Sequence, residues 1–256
     1  MQNITLPFLL KELKLSSMAR NLQDKEKLAN DNNWSYDKFL ASLCEDEIAQ
    51  RYHNKTSRYI KEAKLPVGKT LSTFDFDKNK EIKKQQIINL ATDDDWVKNN
   101  ENLLIFGPSG VGKTHLASAI AYSLIGKGVR VKFSSTIAMV QNLQKAKRDF
   151  TLIDELSKLD KYQVLVLDDI GYIKKTETES NLLFELIAHR YESGTIIITA
   201  NQPFDQWDNI FQDNMMTVAA IDRLIHHATI IQCDADSFRK AESLQRIRQQ
   251  NTDKQK

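Results

Sequence analysis

Eight consecutive residues, Gly107-Pro108-Ser109-Gly110-Val111-Gly112-Lys113-Thr114, satisfy every fixed position of the pattern G-x-x-x-x-G-K-[ST]. These residue types at this spacing hold nucleotide phosphates. Glycines let successive backbone N–H groups turn inward around phosphate oxygens without a Cβ in the way. A helix starting at the end of such a loop points its positive end at the same anion. Lys113 would reach the β- and γ-phosphates, the Thr114 hydroxyl would ligate Mg²⁺, and His115 follows directly. The flanks agree: Asn102–Phe106 reads as a buried strand, and Leu116, Ile120 and Leu124 recur at helical spacing. Glycine is scarce in the chain, 8 of 256 residues, which argues against coincidence.

Two more strand ends carry suitable chemistry. The apolar run Val164–Leu167 ends in Asp168-Asp169. Mg²⁺ takes hard oxygen ligands and keeps several waters, so Asp168 at the strand end suffices for the metal shell. Asp169 is then placed to orient or deprotonate an attacking water. In Ile196-Ile197-Ile198-Thr199-Ala200-Asn201, the Asn201 amide falls at the carboxyl end of a strand, where open α/β sheets bind ligands. It could hold the water or the γ-phosphate, or be a turn residue before Pro203. Arg223 and Arg239 complete the set. An arginine on a transferring phosphate is worth about 10³–10⁵ in rate, but surface arginines are common and position alone selects neither.

The elements that must position these residues form an α/β pattern. Five short apolar runs (103–106, 129–133, 164–167, 195–199 and 229–231) alternate with helical segments centred on 113–126, 136–147, 151–159, 178–193 and 216–226. Runs without polar alternation predict a five-stranded parallel sheet flanked by helices. Residues 1–65 read as a small all-helical N-terminal domain, with Pro7 as the one proline and no glycine. The longest helix is expected to start at an N-cap Ser35 and to bury a stripe of Leu40, Cys44, Ile48, Tyr52, Tyr59 and Ala63. Leu65-Pro66-Val67-Gly68 ends it and marks a boundary, with a core at 66–240 and a polar basic tail at 241–256. Leu71–Asp77 is a connector bearing Phe74 and Phe76, and Glu81–Ala91 returns to helix.

Overall charge names no partner: 36 basic and 34 acidic residues leave +2. The two cysteines, Cys44 and Cys233, are far apart, which fits a reducing cytosol rather than a disulfide framework or zinc site. Cys44 is expected to be a buried free thiol. The N-terminus, with Lys11, Glu12 and Lys14 after Leu9-Leu10, is too short and charged for a signal peptide, and no run reaches membrane-spanning length. Charge is concentrated locally. Arg51, Lys55, Arg58, Lys61, Lys64 and Lys69 face the single acid Glu62 between positions 51 and 69. Arg51, Lys55 and Arg58 share one helix face, expected opposite the apolar stripe, which suits a phosphate backbone or simply solvent.

Taken together, these segments resemble the IstB-like ATPases, transposition helpers of insertion sequences within the DnaA/DnaC clade of AAA+ proteins. The matching residues are Leu13–Ala19, Thr73-Phe74-Asp75-Phe76, Gly107–His115, Leu167-Asp168-Asp169-Ile170-Gly171-Tyr172, Thr199-Ala200-Asn201-Gln202-Pro203-Phe204, Asp222-Arg223-Leu224 and Ser237-Phe238-Arg239. The resemblance covers nearly the whole chain and implies a P-loop AAA+ core. It implies that Asn201 is the first sensor, Arg223 an arginine finger reaching a neighbouring subunit's site, and Arg239 a second sensor for the γ-phosphate of its own subunit. Phe74 and Phe76 would lie near the adenine. The clade's extra helical insertion, aimed at the channel of a ring, falls at Lys145, Lys147 and Arg148, and so implies DNA contact there. Most AAA+ proteins end this acidic motif in Asp-Glu, so Asp169 is one methylene short. The chain ends soon after Arg239, which leaves room only for a very short helical lid.

These readings converge on an ATP- and Mg²⁺-dependent ATPase that forms homo-oligomers, a ring or helical assembly, on duplex DNA and assists a transposase. With no aromatic residues interleaved among the cations, backbone contact with little sequence preference is expected. Three alternatives share parts of the pattern. A DnaC-type replicative helicase loader has the same ATPase core. A P-loop metabolic kinase would need an arginine-bearing lid and an acceptor pocket, which the sequence does not reveal. A DNA scaffold could use ATP as a structural ligand alone.

Overall fold

The computed structural model describes residues 5–79, 81–171, 176–211 and 213–233. They form two compact units, one reaching Arg58 and one starting at Tyr59.

The first unit contains α1 (Leu6–Glu12), α2 (Ser16–Asp31) and most of α3 (Tyr36–Ala63). Pro7 sits in the first turn of α1, where its missing N–H costs nothing. Ser35 Oγ accepts the Lys38 N–H at 3.3 Å, as an N-cap should. The core of this unit is Leu10, Met18, Leu22 and Leu43, with Phe39 alongside. The expected stripe is displaced: Leu40, Cys44, Ile48 and Tyr52 are exposed, Ile48 at 67%, whereas Leu43 is 2% exposed. Cys44 is therefore a surface thiol. The buried row is Phe39, Leu43 and Glu47, one residue and about 100° around the helix.

Glu47 supplies the physical reason. Its carboxylate accepts the backbone N–H groups of Ser17 (2.8 Å) and Met18 (3.3 Å), in the unsatisfied first turn of α2. It also pairs with Arg51 Nε at 2.9 Å. This polar anchor rotates α3 so that its second-best apolar row is the one covered. Tyr59 and Ala63, by contrast, pack into the core of the second unit as expected.

In the second unit, α4 (Lys84–Thr92) and the short α5 (Asp95–Lys98) precede an alternating array. In order these are β1 (Asn102–Phe106), α6 (Lys113–Gly126), β2 (Val131–Ser135), α7 (Thr136–Arg148), α8 (Leu152–Leu159), β3 (Val164–Asp168), α9 (Glu177–Arg190), β4 (Thr195–Ala200), α10 (Asn214–Ile225) and β5 (Ala228–Gln232). β2 starts two residues later than hydropathy suggests, because the Val129 N–H still bonds the Leu124 carbonyl at the end of α6 (3.1 Å).

All strand pairs are parallel and the order is β2-β3-β4-β1-β5. Leu103, Ile105, Val164, Val166 and Ile197 turn to one face, beneath α4 and α6. Leu104, Leu165, Leu167, Ile196 and Ile198 turn to the other, beneath α7, α9 and α10. Burial on both faces explains why the strands carry no polar alternation. The carboxyl ends of β1, β3 and β4 lie side by side, which is where an open parallel sheet forms its ligand crevice. Among the described residues, no helix is long and apolar enough to cross a membrane.

Candidate functional site

β1 runs straight into the glycine loop, and α6 starts at Lys113 with Gly112 as its cap in a left-handed conformation (φ +102°). Two glycines are needed for specific reasons. A Cβ on Gly107 (φ +148°) would overlap the carbonyl oxygen of Cys233, whose N–H bonds Phe106 O at 2.7 Å. A Cβ on Gly112 would lie 3.1 Å from Phe74 Cε2. The loop is thus backed by the end of β5 on one side and roofed by the connector on the other.

A cleft of about 460 Å³ opens over the loop. Its floor is Ser109, Gly110, Gly112, Lys113, Thr114 and His115. Asp169 enters from the end of β3, and Thr199 and Asn201 from the end of β4. The connector supplies Lys69, Thr73, Phe74, Asp75 and Lys78. Gly107, Pro108 and Val111 complete the turn beneath; the Lys113 ammonium donates to the carbonyls of Gly107 and Pro108, each at 2.8 Å. His115 Nε2 lies 3.1 Å from Thr73 Oγ1 and 3.0 Å from Thr70 O, which ties the connector to the first turn of α6. Phe74 is buried edge-on against His115, with ring centroids 5.3 Å apart. Phe76 packs behind Phe74, 4.8 Å between centroids, and does not line the cleft itself.

The acidic corner is tightly organised. Thr199 Oγ1 donates to Asp168 Oδ1 at 2.6 Å and accepts the Asp169 N–H at 2.8 Å. Thr136, at the start of α7, donates to the Asp168 carbonyl at 3.1 Å. Asp169 itself is left-handed (φ +62°), a conformation a short polar side chain tolerates better than most. Asn201 Oδ1 and Gln202 Oε1 both crowd Gly171 and are buried without a hydrogen-bond partner. Buried orphan acceptors of this kind are uncommon and call for an unseen donor.

Cys233 stays a neutral thiol behind the loop, pushed up to about 11 by burial although the Lys113 charge opposes the shift. The residues present fit a Mg²⁺–nucleotide. The glycine cradle accepts phosphate, and the Thr114 hydroxyl and the Asp168 and Asp169 carboxylates are the hard oxygen donors that Mg²⁺ takes.

Arg223 is elsewhere. It lies in the last turn of α10, donates to Ala219 O at 2.8 Å, and stacks over Phe184 at 5.2 Å. With Asn102 and His227 it lines a small cavity of about 130 Å³ at the amino end of β1. The phosphate loop leaves the carboxyl end of that strand, so Arg223 and its own loop are separated by roughly 15 Å of strand. Arg239 and the tail 241–256 lie outside the described residues.

The cationic sites divide. Arg51 is tied to Glu47 and donates to Lys14 O at 3.0 Å, so it lies on the covered row of α3 rather than opposite it. Lys55, Arg58 and Lys61 are exposed on the same helix. Lys145, Lys147 and Arg148 are exposed at the end of α7. Beside them stand two apolar side chains that sequence reading passed over, Phe150 at 97% exposure and Ile153 at 80%. Phe150 follows the helix in a left-handed turn (φ +56°), which swings it outward. The sequence signal was an aromatic residue two positions after a Lys-Arg pair. Thr199 was also missed, as were the connector residues Lys69, Thr73, Asp75 and Lys78; in sequence they show only as neighbours of Asn201 and of Phe74.

The profile of the family described as IstB-like ATP binding protein (IstB_IS21) matches residues 8–246. An insertion sequence ATP-binding protein of Sinorhizobium fredii is 42% identical over 240 residues, 94% of this chain and 80% of that protein. The insertion sequence IS21 ATP-binding protein of Pseudomonas aeruginosa is 34% identical, covering 93% of this chain and 89% of its own. Among solved structures, AMPPCP-bound DnaA from Aquifex aeolicus superposes with a TM-score of 0.56 at 18% identity, over 68% of this chain and 52% of that one. The DnaC helicase loader gives 0.52 at 22% identity, over 69% and 98%. At these identities the two structures establish a shared fold and nothing beyond it.

Proposed function

Since the chain belongs to the family of IstB-like ATP binding proteins, we propose that its cleft binds ATP with Mg²⁺ and hydrolyses it, and that nucleotide state governs how copies assemble on duplex DNA in support of a transposase. The observation that carries this reading is the convergence of the glycine loop, Asp169 and Asn201 on one cleft, with Arg223 a strand's length away. Loop N–H groups and Lys113 grip the β- and γ-phosphates. Thr114 and Asp168 would hold Mg²⁺, which when bound would supply positive charge to offset that of the phosphates. Asp169 orients the attacking water and Asn201 holds it in line.

Arg223 lies away from its own loop, which supports the role the resemblance implies for it, in the site of a neighbouring copy. Arg239, by its motif, reads the γ-phosphate within its own subunit. Exposed Lys55, Arg58, Lys61, Lys145, Lys147 and Arg148 supply contacts to the DNA backbone, and Arg51 contributes only its half-exposed edge. The names of the relatives, which refer to insertion sequences, favour transposition over helicase loading. The test is phosphate release by wild type and Lys113→Ala with duplex present. A drop of at least about a hundredfold is expected; equal rates would remove the ATPase claim.

A further inference from the structure

We infer that Thr199 is the positioning residue of the hydrolytic corner, orienting the Asp168 carboxylate toward the metal and holding the backbone from which Asp169 projects. The inference rests on the ATPase reading above. Thr199 is 1% exposed overall, yet it lines the cleft.

The polarity of its bonds is not ambiguous. A carboxylate can only accept and an N–H can only donate, so the hydroxyl proton goes to Asp168 Oδ1 (2.6 Å) and a lone pair takes the Asp169 N–H (2.8 Å). The first bond is short and charge-assisted, the stronger class of hydrogen bond. The Thr199 carbonyl accepts the Ile170 N–H at 3.0 Å as well. One residue of β4 thus grips Asp168, Asp169 and Ile170, all past the end of the β3–β4 ladder at Leu167 and Ile198.

Two consequences follow. With Oδ1 engaged by the hydroxyl, rotation of the Asp168 carboxylate is restrained and its other oxygen is left for a cation. The left-handed turn at Asp169 (φ +62°) is pinned at its own N–H, so the carboxylate of a residue one methylene shorter than glutamate is delivered at a defined height. Asn201 follows the last residue of β4, two positions after Thr199. Groups that orient metal ligands from behind typically govern 10–100-fold in affinity or rate.

The test compares wild type, Thr199→Val and Thr199→Ser in the full chain. The readouts are affinity for a fluorescent, slowly hydrolysed ATP analogue with Mg²⁺ and with EDTA, and steady-state phosphate release. Thr199→Val is expected to bind the analogue in EDTA within about twofold of wild type, to lose about tenfold or more of the Mg²⁺ enhancement, and to lower kcat by about 10–100-fold with a small change in KM. Thr199→Ser should recover most of both. Wild-type Mg²⁺ enhancement and kcat in Thr199→Val would overturn the inference, as would equal impairment in Thr199→Ser, which would assign the effect to the methyl group. Should the valine variant not fold, Thr199→Cys replaces it, and the same two outcomes decide. If wild type releases no phosphate, the ATPase reading fails separately, while the Mg²⁺ enhancement of binding still tests Thr199.

Discussion

Asp169 and the two cysteines show how much a side chain's chemistry depends on what stands behind it. Asp169, proposed as the water-orienting acid, stands on a left-handed turn whose N–H is held by Thr199. Asp169→Asn keeps the shape and removes the base. It should retain ATP binding while lowering phosphate release by about 10²–10⁴-fold, the usual worth of a positioned base; a filter-binding assay beside a phosphate assay separates the two effects. The cysteines should differ as sharply. Cys44 is exposed, whereas Cys233 is buried with its thiol pushed up to about 11. In the native protein at neutral pH, a thiol-specific reagent should therefore modify Cys44 rapidly and Cys233 only on unfolding, since the thiolate is the reactive form. Peptide mapping after timed labelling checks this.

At the scale of elements, the clearest result is the rotation of α3. Its buried row contains a charged residue, and that residue decides the packing. Leu43→Ala should destabilise the helical unit by about 2–5 kcal/mol, the range for a buried leucine, while Ile48→Ala on the exposed stripe should change stability by less than about 0.5 kcal/mol. Denaturant unfolding followed by circular dichroism distinguishes them. Burial alone would raise the Glu47 pKa, but the Arg51 hydrogen bond and the Ser17 and Met18 N–H groups outweigh it and hold the group below its ordinary value of 4.5. A depressed carboxylate contributes stability above the unfolded-state value and loses it as pH falls through the folded one. Melting temperature should thus fall as pH drops below about 4.5, and Glu47→Gln should flatten that acid limb while lowering stability at neutral pH. The α7 end is a second element with a defined expectation. Lys147→Ala should weaken duplex binding without altering sequence preference and reduce the salt-dependence slope by about 0.9 if the residue meets one phosphate.

For the whole molecule the decisive geometry is the length of β1. The loop at its carboxyl end and Arg223 at its amino end cannot meet within one chain, so a finger role requires a second copy. Mixing Lys113→Ala with Arg223→Ala should restore measurable hydrolysis, because some interfaces pair an intact loop with an intact arginine. Each variant alone should be nearly inactive. A mixture no more active than its components would mean that Arg223 does not work across copies. In the same scheme Arg223→Ala should still bind ATP yet lose ATP-dependent retention on duplex, measured by co-sedimentation.

The phosphate loop, the acidic strand end and the amide after β4 were legible in the chain because each is a local property. Glycine geometry, an apolar run and the residue that follows it all lie within a few positions of one another. The five strands and the helices between them were legible for the same reason, with errors of a few residues where a helix end retained an N–H. Two features were decided only in three dimensions. Leu40-Cys44-Ile48 and Phe39-Leu43-Glu47 are adjacent rows of one helix, and the row that is covered depends on where α2 presents its unpaired N–H groups. Thr199 meets Asp168 across 31 positions of sequence. A hydroxyl acquires that partner through the pairing of β3 with β4, which no local spacing encodes.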